Sequence, residues 1–234
     1  LEICSQDAGS SSMHSETIIP IFPLGLVLLP EMFLPLHIFE ERYKSMMKAC
    51  MQQRMEFGIV YFIGKQFQTK GCTARIVEIL KRYDDGRLDI MTQGENRFAI
   101  KELFDEKPYL QAKVEFFDDQ PEENTSAENF QKLAQRGIQM LRQINTTTDQ
   151  YENNQFTGRL DIKSVSFSIA ASDGFSFEEK QQFLGMTSTL QRLRKAVKAL
   201  EKIVERQSIT REIERIIGGN GKLPKSLQNR LKQN

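Results

Sequence analysis

Apolar positions along the chain change period twice, and those changes divide it. Residues 18–41, IIPIFPLGLVLLPEMFLPLHIFEE, are the most apolar stretch and carry Pro20, Pro23, Pro30 and Pro35. Each proline lacks a backbone donor and biases the residue before it toward extended geometry, so the stretch predicts short strands and turns in place of a long helix. Most of its side chains are expected in a β core. Its central segment, GLVLLPEMF, supplies the candidates for an exposed apolar binding patch: Leu26, Leu28, Met32 and Phe33.

The period then lengthens. FEERYKSMMKACMQQ places Phe39, Tyr43, Met46, Met47, Cys50 and Met51 at helical spacing, which predicts one amphipathic helix whose methionine-rich face packs into the core. Residues 57–63, FGIVYFI, form a short continuous apolar run with the β-branched content of a buried strand. Asp85-Gly86 separates CTARIVEILKRY from RLDIMTQ and predicts a hairpin turn. In CTARIVEI the apolar phase moves from Cys72, Ala74 and Ile76 to Val77 and Ile79, the mark of a bulge or of a strand buried on both faces. Gly94-Glu95-Asn96 predicts a second turn before RFAIKELF, and YLQAKVEFF after Pro108 has a period of two. Residues 17–117 thus predict six or seven strands and one helix, arranged as an antiparallel, partly closed barrel.

Beyond an acidic linker at residues 118–126 the pattern turns helical, with Phe130, Leu133, Ala134, Gly137, Ile138, Leu141 and Ile144 on one face until NTTTDQYENNQ interrupts it. Residues 160–171 are ambiguous, because Val165, Phe167 and Ile169 alternate as in a strand while the alanines also permit a helix. Ser176 followed by Glu178, Glu179 and Lys180 reads as an N-cap with a capping box. A last long helix from about Thr187 to Val204 or beyond carries Leu190, Leu193, Val197, Leu200 and Val204 on a stripe expected to pack on the preceding helices. The fold class is α+β: a leader or vector remnant at 1–16, a β lobe at 17–119, a helical lobe at 120–217 and a basic flexible tail at 218–234.

Composition adds limits. With 39% hydrophobic and 27% charged residues in 234, the chain can bury a core, and no apolar run reaches the roughly 18 residues of a membrane span. Cys4, Cys50 and Cys72 are odd in number and widely spaced, which fits a reducing cytoplasm and argues against a disulfide framework or zinc site. The net charge of +1 conceals an asymmetry, since residues 192–234 hold twelve Lys/Arg against four Asp/Glu. That end is read as the solvated face of a helix, with an acidic partner or nucleic acid as the functional alternative.

Candidate chemistry is sparse. Of the two histidines, His14 adjoins the leader and His37 sits alone in the proline-rich stretch, as a structural residue. Gly221-Lys222 fails the phosphate-loop pattern at Ile216 and Leu223. Asp84-Asp85 and Asp118-Asp119 lie in a turn and a linker, where carboxylates are solvated. No catalytic residue, cofactor or metal is expected.

Several segments together resemble the N-terminal domain of the ATP-dependent protease Lon: IPIFPLGLVLLPEMFLPLHIFEERY at 19–43, FGIV at 57–60, then GCTARIVEI, DGRLDIMTQGENRF and PYLQAKVEF, and FSFEEKQQFL before the leucine-spaced helix. The resemblance covers about residues 18–205 and rests on the order and spacing of the segments. It implies a PUA-like β lobe followed by a helical bundle, and a helix over 160–171. It also implies a non-catalytic module that binds unfolded or tagged polypeptides through exposed apolar surface, alongside a separate protease, because the phosphate loop and serine-lysine protease domain of Lon are not found in the sequence. The alternative is an RNA-binding PUA-like protein that uses the basic C-terminal helix and tail.

Overall fold

The computed structural model describes residues 17–64, 66–122, 127–144 and 161–218. They form two compact units that meet in sequence at Asp118 and Asp119. The leader and the basic tail foreseen at the two ends lie outside the described residues.

The first unit holds six strands and one helix: β1 (Thr17–Leu24), β2 (Phe33–Ile38), α1 (Glu41–Gln53), β3 (Phe57–Ile63), β4 (Gln66–Arg82), β5 (Leu88–Phe104) and β6 (Gln111–Phe116). Their order is β2-β5-β4-β3-β1-β6, and a further pairing of β5 with β6 closes five of them into a barrel. β2 stays outside the closure, as an arm on the first half of β5. All pairings are antiparallel except β1 with β3, which run parallel. That exception follows from connectivity, since β2 and α1 lie between β1 and β3 in the chain and return it to the same end.

Ile19, Ile21, Val60, Phe98, Ala112 and Val114 fill the barrel. The opposite parity of β1 faces outward, where Phe22 packs on Tyr43 of α1 with ring centroids 4.1 Å apart and on Phe57 at 6.3 Å. Helix α1 buries Tyr43, Met46, Met47 and Cys50. Phe39, expected on that face, lies before the helix begins and is exposed.

The Asp85-Gly86 hairpin turn forms, with Gly86 at φ 83° and its N–H donating to Tyr83 O at 3.0 Å. The bulge read from CTARIVEI falls between Ile76 and Glu78. The turn expected at Gly94-Glu95-Asn96 does not exist, because β5 runs unbroken from Leu88 to Phe104. Its glycine serves close approach: a Cβ there would lie 2.1 Å from the carbonyl oxygen of Leu29. Another register shift, between Cys72 and Ala74, is closed by Thr73, whose hydroxyl accepts Asn96 N–H at 2.9 Å and donates to Glu56 Oε2 at 2.5 Å.

The second unit is helical: α2 (Ala127–Ile144), α3 (Ile162–Ala171), α4 (Phe177–Gly185) and α5 (Thr189–Gly218). The ambiguous segment is helix α3, capped by Asp161, whose carboxylate accepts the amides of Lys163 and Ser164. Helix α4 opens on the full capping box of Ser176 and Glu179. Leu190, Leu193, Val197 and Leu200 are buried, and α5 packs against α2 and α3. Two charged residues depart from the expectation of solvated side chains. The fully buried Arg192 holds both carboxylate oxygens of Asp119 at 3.0 and 2.5 Å, donates to Ser166 Oγ at 2.8 Å and lies 3.7 Å over the Phe167 ring. Asp119 is therefore a buried ion-pair partner, not a solvated linker carboxylate.

Candidate functional site

The proline-rich stretch builds its surface by alternation. In β2, FLPLHI, Leu34 and Ile38 are buried and Leu36 is partly buried, whereas Phe33, Pro35 and His37 are exposed. The strand pairs Phe33 with Gln93, Pro35 with Met91 and His37 with Asp89. Phe33 is 55% exposed and Phe39, stacked on the His37 imidazole at 5.8 Å, is 59% exposed. Phe33, Pro35, Met91, His37 and Phe39 thus form a largely apolar strip along the outer face of β2 and its neighbour.

A tight turn presents the near end of this strip. Met32 N–H donates to Leu29 O at 3.2 Å, with Pro30 and Glu31 at the two central positions. Glu31 adopts φ 65°, a left-handed conformation that such a turn usually gives to glycine. Two bonds to β5 hold it there: Glu31 N–H to Gly94 O at 2.7 Å, and Gly94 N–H to Met32 O at 2.9 Å. Met32 is partly exposed and Phe33 more so.

The far end is polar and aromatic. His37 Nδ1 lies 2.5 Å from Asp89 Oδ1, and Tyr83 OH donates to Asp89 Oδ2 at 2.8 Å. Those bonds, from His37 first and then Tyr83, hold the Asp89 carboxyl below the usual carboxylate range. Lys81 and Arg87 lie 4.5 and 4.7 Å from the Tyr83 ring centroid. Three ion pairs flank the strip, Arg75 with Glu95 at 2.7 Å, Arg42 with Glu40 at 2.8 Å and Arg87 with Asp85 at 2.7 Å.

Of the four residues proposed from the sequence, Met32 and Phe33 stand together at one end of the strip. Leu26 is partly exposed in the segment between β1 and the Pro30-Glu31 turn. Leu28 does not reach the surface. It is 1% exposed, with its Cγ against Gly94, because the turn folds its side chain down onto β5. Phe39, Pro35 and Met91 went unrecognised as site residues. The signal for Phe39 was the run Glu40-Glu41, which supplies the N-cap and first helical residue and so starts the helix two residues after it.

Nothing in this arrangement assembles a nucleophile with a base, and among the described residues no three His, Cys, Asp or Glu are placed to hold a metal ion. The two described cysteines are buried, and burial pushes the Cys50 thiol up to about 11 and Cys72 still higher. No helix among the described residues is long and apolar enough to cross a membrane.

A five-stranded barrel with a strand arm, followed by a helical unit, defines a mixed α+β architecture, and comparison shows which family shares it. Residues 18–202 match the family model described as the ATP-dependent protease La (LON) substrate-binding domain, and the chain belongs to that family. It is 27% identical over 218 residues to a Lon protease of Anaeromyxobacter dehalogenans and 28% identical over 218 residues to Lon protease 2 of Myxococcus xanthus. Each alignment takes in 86% of this chain but only 25% and 26%, respectively, of the relative. The fold matches a Lon N-terminal domain protein from Xanthomonas campestris (TM-score 0.59, 22% identity, 76% of this chain and 96% of that one). It also matches the N-terminal domain of the Mycobacterium avium complex Lon protease (TM-score 0.61, 17% identity, 79% of this chain and 98% of that one).

Proposed function

We propose that this chain is a non-catalytic cytoplasmic module that binds unfolded or tagged polypeptides for an ATP-dependent protease. Membership of a family described as substrate-binding supports the reading. The observation that carries it is the strip on β2, where Phe33 is 55% exposed between Met32 and Pro35. Covering an apolar side chain of this size contributes about 1.5–3 kcal/mol. Two or three such contacts, less the entropy of ordering the bound segment, give weak and promiscuous binding, as a sorter of substrates requires. Leu26 lies apart from the strip and extends the surface at most as a second contact.

Recognition of RNA through the basic end draws less support. In the last part of α5, Arg206, Arg211 and Arg215 are interleaved with Glu205, Glu212 and Glu214, and Arg192 is consumed inside the unit. Lys222, Lys225, Arg230 and Lys232 lie outside the described residues.

The test is fluorescence anisotropy of a labelled, reduced and carboxymethylated protein titrated with the full chain. Phe33→Asp is expected to weaken binding at least tenfold while leaving thermal unfolding unchanged, since the side chain is exposed. Undiminished binding by a folded Phe33→Asp variant overturns the strip as the site.

A further inference from the structure

The free edge of β2 carries main-chain groups as well as side chains. We infer that an extended segment of a bound polypeptide adds to the sheet as a strand along β2, hydrogen-bonded to Phe33, Pro35 and His37. This rests on the reading of the chain as a polypeptide binder and specifies how the binding is made.

Parity carries the inference. The carbonyl of Met32 accepts Gly94 N–H at 2.9 Å and that of Leu34 accepts the Thr92 hydroxyl at 2.8 Å, so the even-numbered residues turn their carbonyls toward β5. In an antiparallel ladder the alternate residues turn theirs the other way. Phe33, Pro35 and His37 therefore direct three carbonyls and two N–H groups at the open side. β2 is the terminal strand of the order, and among the described residues no strand pairs with that side.

Sheet edges are commonly guarded by lysine or by other charges. FLPLHI contains no Lys, Arg, Asp or Glu, and around it Arg42 pairs with Glu40, Arg75 with Glu95 and Arg87 with Asp85. Its one guard is Pro35, which removes a single donor. That guard acts unequally on the two possible occupants. A second copy of the chain, paired about a two-fold axis over most of the strand, meets a proline on each side and forfeits a bond at both. A foreign strand forfeits one. The edge is also short: a six-residue strand spans roughly 20 Å and an added strand covers on the order of a few hundred Å², well below the roughly 800 Å² per partner of a stable dimer. Both arguments select a transiently bound extended polypeptide, whose side chains at alternate positions lie beside Phe33, Pro35 and His37.

Two substitutions change the number of donors with little change in apolar surface. Pro35→Val restores the missing N–H. His37→Pro removes another, and the extended Leu36 before it tolerates a following proline; His37→Ala is its control, losing the same ring but keeping the N–H. The probes are a labelled nine-residue peptide of alternating valine and threonine with a lysine at each end, and the carboxymethylated unfolded protein. Pro35→Val is expected to bind the peptide about two- to tenfold more tightly than the wild type, and His37→Pro about two- to tenfold more weakly than His37→Ala, the worth of one main-chain bond. If His37→Pro does not fold, Pro35→Val decides alone. Equal affinities within each pair, with the unfolded protein still bound, overturn strand addition and leave the polypeptide-binding reading standing. Failure of the wild type to bind either probe overturns both. Self-association of Pro35→Val in sedimentation equilibrium without a gain in peptide affinity assigns the edge to a second copy and overturns the occupant.

Discussion

Gly94→Ala is the sharpest test of how the surface on β2 is held. The added methyl would lie 2.1 Å from Leu29 O, 3.0 Å from Leu29 C and 3.2 Å from Leu28 Cγ. Ordinary approach is about 3.5 Å, so the Leu29 carbonyl must retreat by more than 1 Å. Strand β5 cannot yield, because it pairs with β2 on one side and β4 on the other. The turn must yield instead. Its retreat breaks or stretches the two bonds between Gly94 and residues 31 and 32, at about 0.5–1.5 kcal/mol each, and lifts the buried Leu28 partly from its site. The sum is a loss of about 2–4 kcal/mol, most of it from packing and hydrogen bonds. Urea unfolding followed by tyrosine fluorescence reports on the right unit, since the chain has no tryptophan and four of its five tyrosines, Tyr43, Tyr61, Tyr83 and Tyr109, lie before Asp118. With a slope of about 2 kcal/mol per molar urea, the midpoint should fall by about 1–2 M. A decrease smaller than about 0.5 M refutes the claim that the turn is clamped on this glycine.

Three further outcomes are expected. Arg192→Ala strands the buried Asp119 and should cost the helical unit about 3–5 kcal/mol, read as an earlier melt by circular dichroism; an unaltered melt contradicts the buried pair. Asp89→Asn tests the acid limb: the folded carboxyl titrates below its unfolded value, so its contribution is present above about pH 4 and is lost as pH falls through the folded value. The stability gap between wild type and variant should therefore close on acidification, and a gap that stays constant down that limb counts against the bonds from His37 and Tyr83. Cys50 and Cys72 should resist iodoacetamide in the native chain at about pH 8 and react after denaturation, as followed by mass spectrometry of the two peptides; rapid native labelling of either contradicts their burial.

Periodicity exposed much of the fold because burial on one face imposes it. Helix α1, strand β3, the Asp85-Gly86 hairpin and the bulge at Ile76 were all legible as local patterns. What failed was long-range. Gly94 looks like a turn residue, yet its small size serves the Leu29 carbonyl of a segment some sixty residues earlier, and no window around residue 94 contains that fact. Residues 160–171 look like a strand because Val165, Phe167 and Ile169 are all buried, but α3 is covered by both α2 and α5, and a helix buried widely loses its own period. Arg192 and Asp119 are 73 residues apart, and each alone reads as a solvated charge.

The candidate site was half legible for the same reason. GLVLLPEMF offers Leu26, Leu28, Met32 and Phe33 as equally apolar, and composition cannot rank them. The Pro30-Glu31 turn does so, because it reverses the chain between Leu28 and Met32 and sends Leu28 inward while Met32 and Phe33 emerge. Proline was first an argument against helix. In the folded chain Pro35 has a second consequence, since it can occupy β2 without breaking the ladder only where its absent N–H faces away from β5. The residue that forces the stretch into strand geometry therefore also fixes which residues of that strand face outward, and it places Phe33 and His37 on either side of itself along the open edge.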